Sequence, residues 1–262
     1  MSVDLKSAVA VITGAGSGIG RASAMAFAGR GAQVVVTDID ADRAAAVAAE
    51  IGERAIAARC DVTSKGDLES ARDMALERFG HIDLVMNNVG ICAAGEPLDI
   101  PMEAWERLVD VNLLSVVRSN EVFLPLLLEQ GSGHVVNTAS TGGLLPYGWD
   151  RLPYTATKFA VVGLSEALAI YLRPKGLGVT CLCPAVTATN MFEQVTLYGD
   201  MTVPSSPGYA SMPADVVGEM LADAVEANRF LVVPLPQALD ELREKVADID
   251  AYLDWRSEAL RS

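Results

Sequence analysis

The chain has 262 residues, 51% of them hydrophobic, with 20 basic against 34 acidic side chains and a formal net charge of −14. That balance argues against nucleic acid, anionic lipid surfaces and acidic carrier proteins as partners, all of which require clustered Lys and Arg. The four cysteines (Cys60, Cys92, Cys181 and Cys183) form no CxxC or CxxH pattern, so neither a disulfide framework nor a metal site is expected.

The first residues lack the basic segment and long apolar core of a signal peptide. No apolar run along the chain approaches the ~20 residues of a membrane span, and a soluble, cytoplasmic protein is expected. Residues 8–12 (AVAVI) are an apolar run without polar alternation, the pattern of a strand buried on both faces of a parallel sheet. Directly behind it comes TGAGSGIG, with Gly14, Gly18 and Gly20 spaced G-x3-G-x-G, leading into a helix-prone segment. Strand, glycine-rich turn and helix N-terminus together make an anion site, because the backbone can approach a pyrophosphate and unpaired N–H groups face it.

A second strand at 33–37 closes on Asp38, 18 residues beyond Gly20. An acid there accepts hydrogen bonds from adenosine ribose hydroxyls and repels a 2′-phosphate, and no Arg or Lys lies at 13–20 or directly follows Asp38. NAD is therefore the expected cofactor. A helix at 41–51, a strand at 55–58, a helix at 64–79 and a strand at 82–86 continue the alternation. It predicts a single α/β domain with a doubly wound parallel sheet, a Rossmann-type fold whose ligands sit beyond the carboxyl ends of the strands.

A long helix at 102–130 carries Asn112 within an apolar stretch and Pro125 further on, where a kink is expected. A strand at 134–139 closes on Ser140. Beyond the loop TGGLLPYGWDRLP, Tyr154 and Lys158 stand four apart at the start of a helix and so share one face. A cation beside a phenol favours the phenolate and draws its pKa towards the working range. A strand at 179–183 leads to PAVTAT, residues 190–212 read as a substrate lid, and a helix at 213–227, a strand at 230–233 and one amphipathic helix at about 237–260 complete the chain. The two histidines, His81 and His134, fall at strand starts and read as structural.

TGAGSGIG, Asp61-Val62, NNVG at 87–90, Asn112, Ser140, YTATK and the 184–189 stretch occur together in an order that resembles the short-chain dehydrogenase/reductase family over roughly residues 7–234. The resemblance implies a catalytic set of Asn112, Ser140, Tyr154 and Lys158. Tyr154 would exchange a proton with the substrate oxygen, Ser140 would stabilise that oxygen, and Lys158 would lower the tyrosine pKa and hold the nicotinamide ribose. Asn112 would hold a water linking Lys158 to solvent. It further implies cofactor contacts from Gly14, Ser17, Gly18, Ile19 and Gly20 at the phosphate turn, Asp38 at the ribose and Asp61 and Val62 at the adenine. Asn88 and Gly90 would stand beside the ribose and nicotinamide, and Pro184, Thr187 and Thr189 around the carboxamide.

The chain departs from the family pattern at Val89 and Ala185, in the step of 14 positions from Ser140 to Tyr154, and in a tail that lacks the usual ending. The resemblance implies a homodimer or homotetramer through helices 102–130 and 154–173. Leu144, Leu145, Tyr147, Trp149 and Leu152 before Tyr154, with Met191, Phe192, Val195, Leu197, Tyr198 and Met201 in the lid, suggest an apolar pocket for a lipophilic secondary alcohol or ketone. Arg151 could anchor a substrate anion, but a solvated loop charge is the favoured reading. Reduction of 3-oxoacyl thioesters, or a catalytically silent NAD-binding regulator, are the competing functions.

Overall fold

The computed structural model describes residues 3–189, 195–202 and 208–258. Seven strands form one sheet: β1 Val9–Ile12, β2 Gln33–Asp38, β3 Ala55–Arg59, β4 Leu84–Asn87, β5 Gly133–Thr138, β6 Leu177–Leu182 and β7 Leu231–Val232. Their spatial order is β7-β6-β5-β4-β1-β2-β3, and every pairing is parallel. β1 lies between β2 and β4, with Val11 opposite both Val35 and Val85. The chain winds outward from β1 to one edge and then returns to build the other half, which leaves a crevice where the order reverses.

The unbroken apolar runs have a simple origin. Ala10, Ile12, Val34, Val36, Met86 and Val136 pack with Phe27, Val47 and Leu221 in one core layer. The alternate residues Val11, Val35, Val85, Val135 and Val179 pack with Leu68, Phe123 and Leu172 in a second. With a side-chain period of two and helices over both faces, each position of a central strand is internal. The first layer is covered by α1 Gly18–Gly29, α2 Ala41–Ile51 and, further along the chain, α7 Ala214–Glu226. The second is covered by α3 Lys65–Phe79, α5 Ser115–Gln130 and α6 Leu152–Leu172, with α4 Met102–Val109 leading into α5.

Three expectations are corrected. The helix at 102–130 is interrupted by one π-helical turn, Asp110–Leu114, which carries Asn112 into the interior. The helix expected at 237–260 is a hairpin of two, α8 Pro236–Ala247 and α9 Ile249–Glu258. Asp248 breaks it by taking extended backbone (φ −152°, ψ 98°) and accepting the Ala251 N–H at 3.0 Å, so an acid within the run serves as a cap. Finally, Met102–Gln130 and Trp149–Lys175 are long and apolar enough, by length and composition, to span a membrane. Here they press Phe123, Leu127, Val161 and Leu172 into the interior.

Of the segment read as a lid, 190–194 and 203–207, with Met191 and Phe192, lie outside the described residues. The remainder is pinned by two short parallel pairings, Thr196–Leu197 on Ala93–Ala94 and Met212–Pro213 on Thr187–Ala188. His81 precedes β4 and pairs with Asp83 at 3.0 Å, whereas His134 is fully buried in β5 against Thr180 Oγ1 at 2.8 Å.

Candidate active site

A cleft of about 650 Å³ opens beyond the carboxyl ends of the strands. At one end β1 runs into the glycine turn, and Gly14, Ser17, Gly18 and Ile19 line the wall. Ser17 takes the N-cap position of α1 with extended backbone but makes no side-chain cap, and no acid occupies the first turn. The helix therefore presents its free N–H groups without a competing carboxylate, which suits a pyrophosphate. Gly20 lies beneath the turn: a Cβ there would stand 2.2 Å from the Gly14 carbonyl oxygen, so close packing of turn on helix demands glycine.

Asn88 fastens this end together. It donates from Nδ2 to the Gly14 carbonyl at 3.2 Å and accepts from Thr138 Oγ1 at 3.3 Å, while its backbone N–H reaches Thr13 Oγ1 at 3.0 Å. The Asp38 carboxylate, at the end of β2, accepts N–H bonds from Gly16 (3.0 Å) and Asp40 (3.1 Å) and stays on the cleft wall. Asp61 accepts from Thr63 N–H and Oγ1 at 2.9 and 2.7 Å, and both Asp61 and Val62 line the cleft.

Sequence reasoning missed Arg43. It stands one turn into α2, lines the cleft beside Asp38, and is held by Asp40 at 3.2 Å. The distance of five residues from Asp38 hid it, yet the first turn of a helix after a strand folds back over that strand's end.

At the other end Ser140 follows β5. Its Oγ accepts the Gly142 N–H at 3.0 Å and lies 3.5 Å from the Pro184 carbonyl. Tyr154 stands close by, buried in the first turn of α6. Burial pushes its hydroxyl up to about 12, while a hydrogen bond with Ser140 and the charge of Arg151 act in the opposite direction. Lys158 is buried one turn on. Its Nζ donates to the Thr138 carbonyl at 2.9 Å, and burial lowers the ammonium to about 8. Nζ lies 5.7 Å from the Tyr154 ring centroid. Burial thus outweighs the lowering influences on the tyrosine, of which the Ser140 hydrogen bond is the largest and Arg151 the next.

Asn112 does not line the cleft. Its Nδ2 donates to the Ile91 carbonyl and to Thr157 Oγ1 at 3.0 and 3.1 Å, and its Oδ1 accepts the Ile91 N–H at 2.8 Å. Both amide donors are used, so in this structure the residue holds the segment after β4 against α6. Gly90, Pro184, Thr187 and Thr189 line the cleft as expected.

The substrate side is less apolar than expected. Leu144 and Leu145 pack into the core, and of the loop residues named above only Tyr147 lines the cleft; of the described lid residues, only Val195 does. Arg151 is no solvated charge: it is 15% exposed, lines the cleft and pairs through Nε with the fully buried Asp150 at 2.9 Å. Thr155, Cys92 and Asp110 also line the wall.

These residues fit a nicotinamide dinucleotide: a glycine cradle with free helix N–H groups, an acid at the β2 end, and a Ser–Tyr pair with a buried Lys at the far end. The short chain dehydrogenase family profile matches residues 8–198. The 1-deoxy-11-beta-hydroxypentalenate dehydrogenase of Streptomyces exfoliatus is 33% identical, over 98% of this chain and 91% of its own. The 3beta-hydroxysteroid dehydrogenase 2 of Eggerthella lenta is 36% identical, over 71% of this chain and 74% of its own. Among solved structures, a short chain dehydrogenase/reductase from Burkholderia phymatum in complex with NAD superposes with a TM-score of 0.85 at 30% identity, covering 95% of this chain and 96% of the other.

Proposed function

The chain belongs to the short-chain dehydrogenase family, and from that premise we propose that it interconverts a lipophilic secondary alcohol and its ketone with NAD. The observation that carries this reading is Ser140 and Tyr154 meeting at one point on the cleft wall. When bound, the nicotinamide supplies a hydride acceptor or donor; the chain handles the proton. Tyr154 gives its hydroxyl proton to the carbonyl oxygen in reduction and, as phenolate, takes the alcohol proton in oxidation. Ser140, its oxygen accepting the Gly142 N–H, donates to the same substrate oxygen and stabilises negative charge developing there. Lys158 keeps a positive charge beneath that site and positions the end of β5 through Thr138.

NAD is favoured over NADP because the nearly buried Asp38 carboxylate would face a 2′-phosphate, although Arg43 stands close enough to moderate that repulsion. A lipophilic substrate is supported by Tyr147, Val195 and Ile91 on the wall, and by relatives named for a hydroxypentalenate and a hydroxysteroid. Two copies pair through Met102–Gln130 and α6, where Leu114, Val117, Phe159 and Tyr171 are exposed. The test is initial-rate NADH formation across secondary alcohols, with NADP⁺ in parallel. An NAD-only rate on ring alcohols is expected; silence across the panel despite NAD⁺ binding would mean an untested substrate or the silent regulator.

A further inference from the structure

The loop between Ser140 and Tyr154 carries Tyr147 and Gly148 to the cleft wall. It contains two short 3-10 turns, Thr141–Gly143 and Trp149–Arg151, and no strand of the main sheet. Its shape is therefore set by what packs on it. On the inner side that is α6; on the outer side it is the α8–α9 hairpin.

The contacts are specific. Leu144 and Leu145 share a core cluster with Ala238 and Tyr252 of the hairpin. Lys245 of α8 donates from Nζ to the Leu144 carbonyl at 2.7 Å. The Arg256 guanidinium of α9 lies over the Tyr147 ring, 5.1 Å from its centroid, and Tyr209 meets that ring edge-on at 5.5 Å. Arg256 and Tyr209, the two groups on the Tyr147 ring, converge on Glu241, which is buried with 7% exposure. Its carboxylate accepts from the hydroxyls of Tyr209 and Tyr252 (2.9 Å) and pairs with Arg256.

A buried carboxylate with three donors, two from α9 and one from Tyr209, is costly unless each is in place, and so fixes their relative positions. One of its partners stacks on Tyr147 and another packs against it. We infer that the C-terminal hairpin braces the Tyr147 wall of the substrate site from behind and that Glu241 is the positioning residue that sets Tyr147 against the substrate. This rests on the cleft being the alcohol site. It assigns part of substrate choice to a segment outside the cleft lining.

The test compares wild type with Glu241→Ala, Glu241→Gln and Lys245→Met. Three quantities are read: KM and kcat for the best alcohol of the panel, NAD⁺ affinity by fluorescence titration, and hydrogen exchange of the 141–149 backbone. For Glu241→Ala, exchange in 141–149 quickens and KM rises ~10-fold or more, while kcat and NAD⁺ affinity stay within ~2-fold. Glu241→Gln, which keeps an acceptor for the tyrosines, recovers part of the KM. Lys245→Met gives a smaller change of the same kind and carries the comparison if Glu241→Ala does not fold. Unchanged KM with unchanged exchange overturns the inference, and so does an equal loss of NAD⁺ affinity, which would mark general loosening. If wild type turns over no alcohol, the dehydrogenase reading fails while the exchange measurement still decides whether Glu241 fixes the loop.

Discussion

Lys158 donates its ammonium to the carbonyl oxygen of Thr138, at 2.9 Å, and Tyr154 lies to one side, its ring centroid 5.7 Å away. A cation sealed at the end of a central strand is electrostatically expensive, and its pKa is lowered to about 8 accordingly. The unfolded chain keeps its lysine proton up to the ordinary 10.5. Between those values the unfolded state binds more protons, so stability rises with pH through that window and is reduced below it. Replacing the charge should therefore relieve a cost at neutral pH. Lys158→Met is expected to melt at or above the wild-type temperature, by up to ~3 kcal/mol of stability, while losing turnover. Thermal unfolding at pH 7 beside an activity assay checks it; a large destabilisation would mean that the Thr138 bond outweighs the buried charge.

Tyr154 should separate chemistry from binding. Its hydroxyl, raised to about 12 by burial, is fully protonated at neutral pH, so ketone reduction finds its proton donor ready. Alcohol oxidation needs the phenolate and should speed up with rising pH. Tyr154→Phe is expected to lower kcat by about 10²–10⁴-fold with NAD⁺ affinity unchanged. Turnover that survived intact would remove Tyr154 from the proton transfer.

How much of this was legible in the sequence depends on the range of the interaction. The strands were readable because their apolar runs reflect burial on both faces, a local property. Ser140, Tyr154 and Lys158 were found through segment order and four-residue spacing, and they converge as expected. Leu144 and Leu145 were misplaced because an apolar loop residue looks the same whether it faces a ligand or a neighbouring hairpin. The hairpin itself was hidden by Asp248, one acid among many in an amphipathic run, whose capping role appears only with its backbone geometry. Arg151 was misjudged for a similar reason, since its partner Asp150 reads as a surface acid until its full burial is seen.

His134 gives a prediction on the acid side. It is buried in β5 with Nε2 at Thr180 Oγ1 and no hydrogen-bond partner for Nδ1 among the described residues. Burial lowers its pKa from 6.5 to about 4. An unfolded chain protonates it near 6.5, so between 6.5 and 4 the unfolded state binds the extra proton and stability falls as the pH drops. The contribution is about 3 kcal/mol across the window. In His134→Gln the urea midpoint should vary less with pH over that interval than in wild type, whatever its level at pH 7; an unchanged slope would assign acid sensitivity to other groups.

Gly20 tests the phosphate turn. A methyl group there would fall 2.2 Å from the Gly14 carbonyl oxygen, within the turn, and 2.6 Å from Asn88 Nδ2, which fastens it. The turn must open to admit it, and the N–H groups aimed at the pyrophosphate then move. Gly20→Ala is expected to weaken NAD⁺ binding by ~10-fold or more, with a stability loss of the order of 1–3 kcal/mol from overpacking. Calorimetric titration reads the first and thermal unfolding the second.

The final prediction concerns the choice between NAD and NADP, where Asp38 and Arg43 oppose one another. Asp38 is 9% exposed and is held by two backbone N–H groups, so it cannot swing away from an incoming 2′-phosphate. Arg43 is nearly half exposed and, among the described residues, is paired with Asp40 at 3.2 Å. A surface ion pair of that kind is worth roughly 0–1 kcal/mol, so Arg43 is easily drawn to a stronger anion. Removing the fixed acid should let the mobile cation decide. Asp38→Ser is expected to raise the ratio of kcat/KM for NADP⁺ over NAD⁺ by ~10-fold or more, and adding Arg43→Ala should return much of that gain. Parallel kinetics with both cofactors measure it. If the double variant kept the full gain, Arg43 would have no part in the choice, and Asp38 would act by repulsion alone.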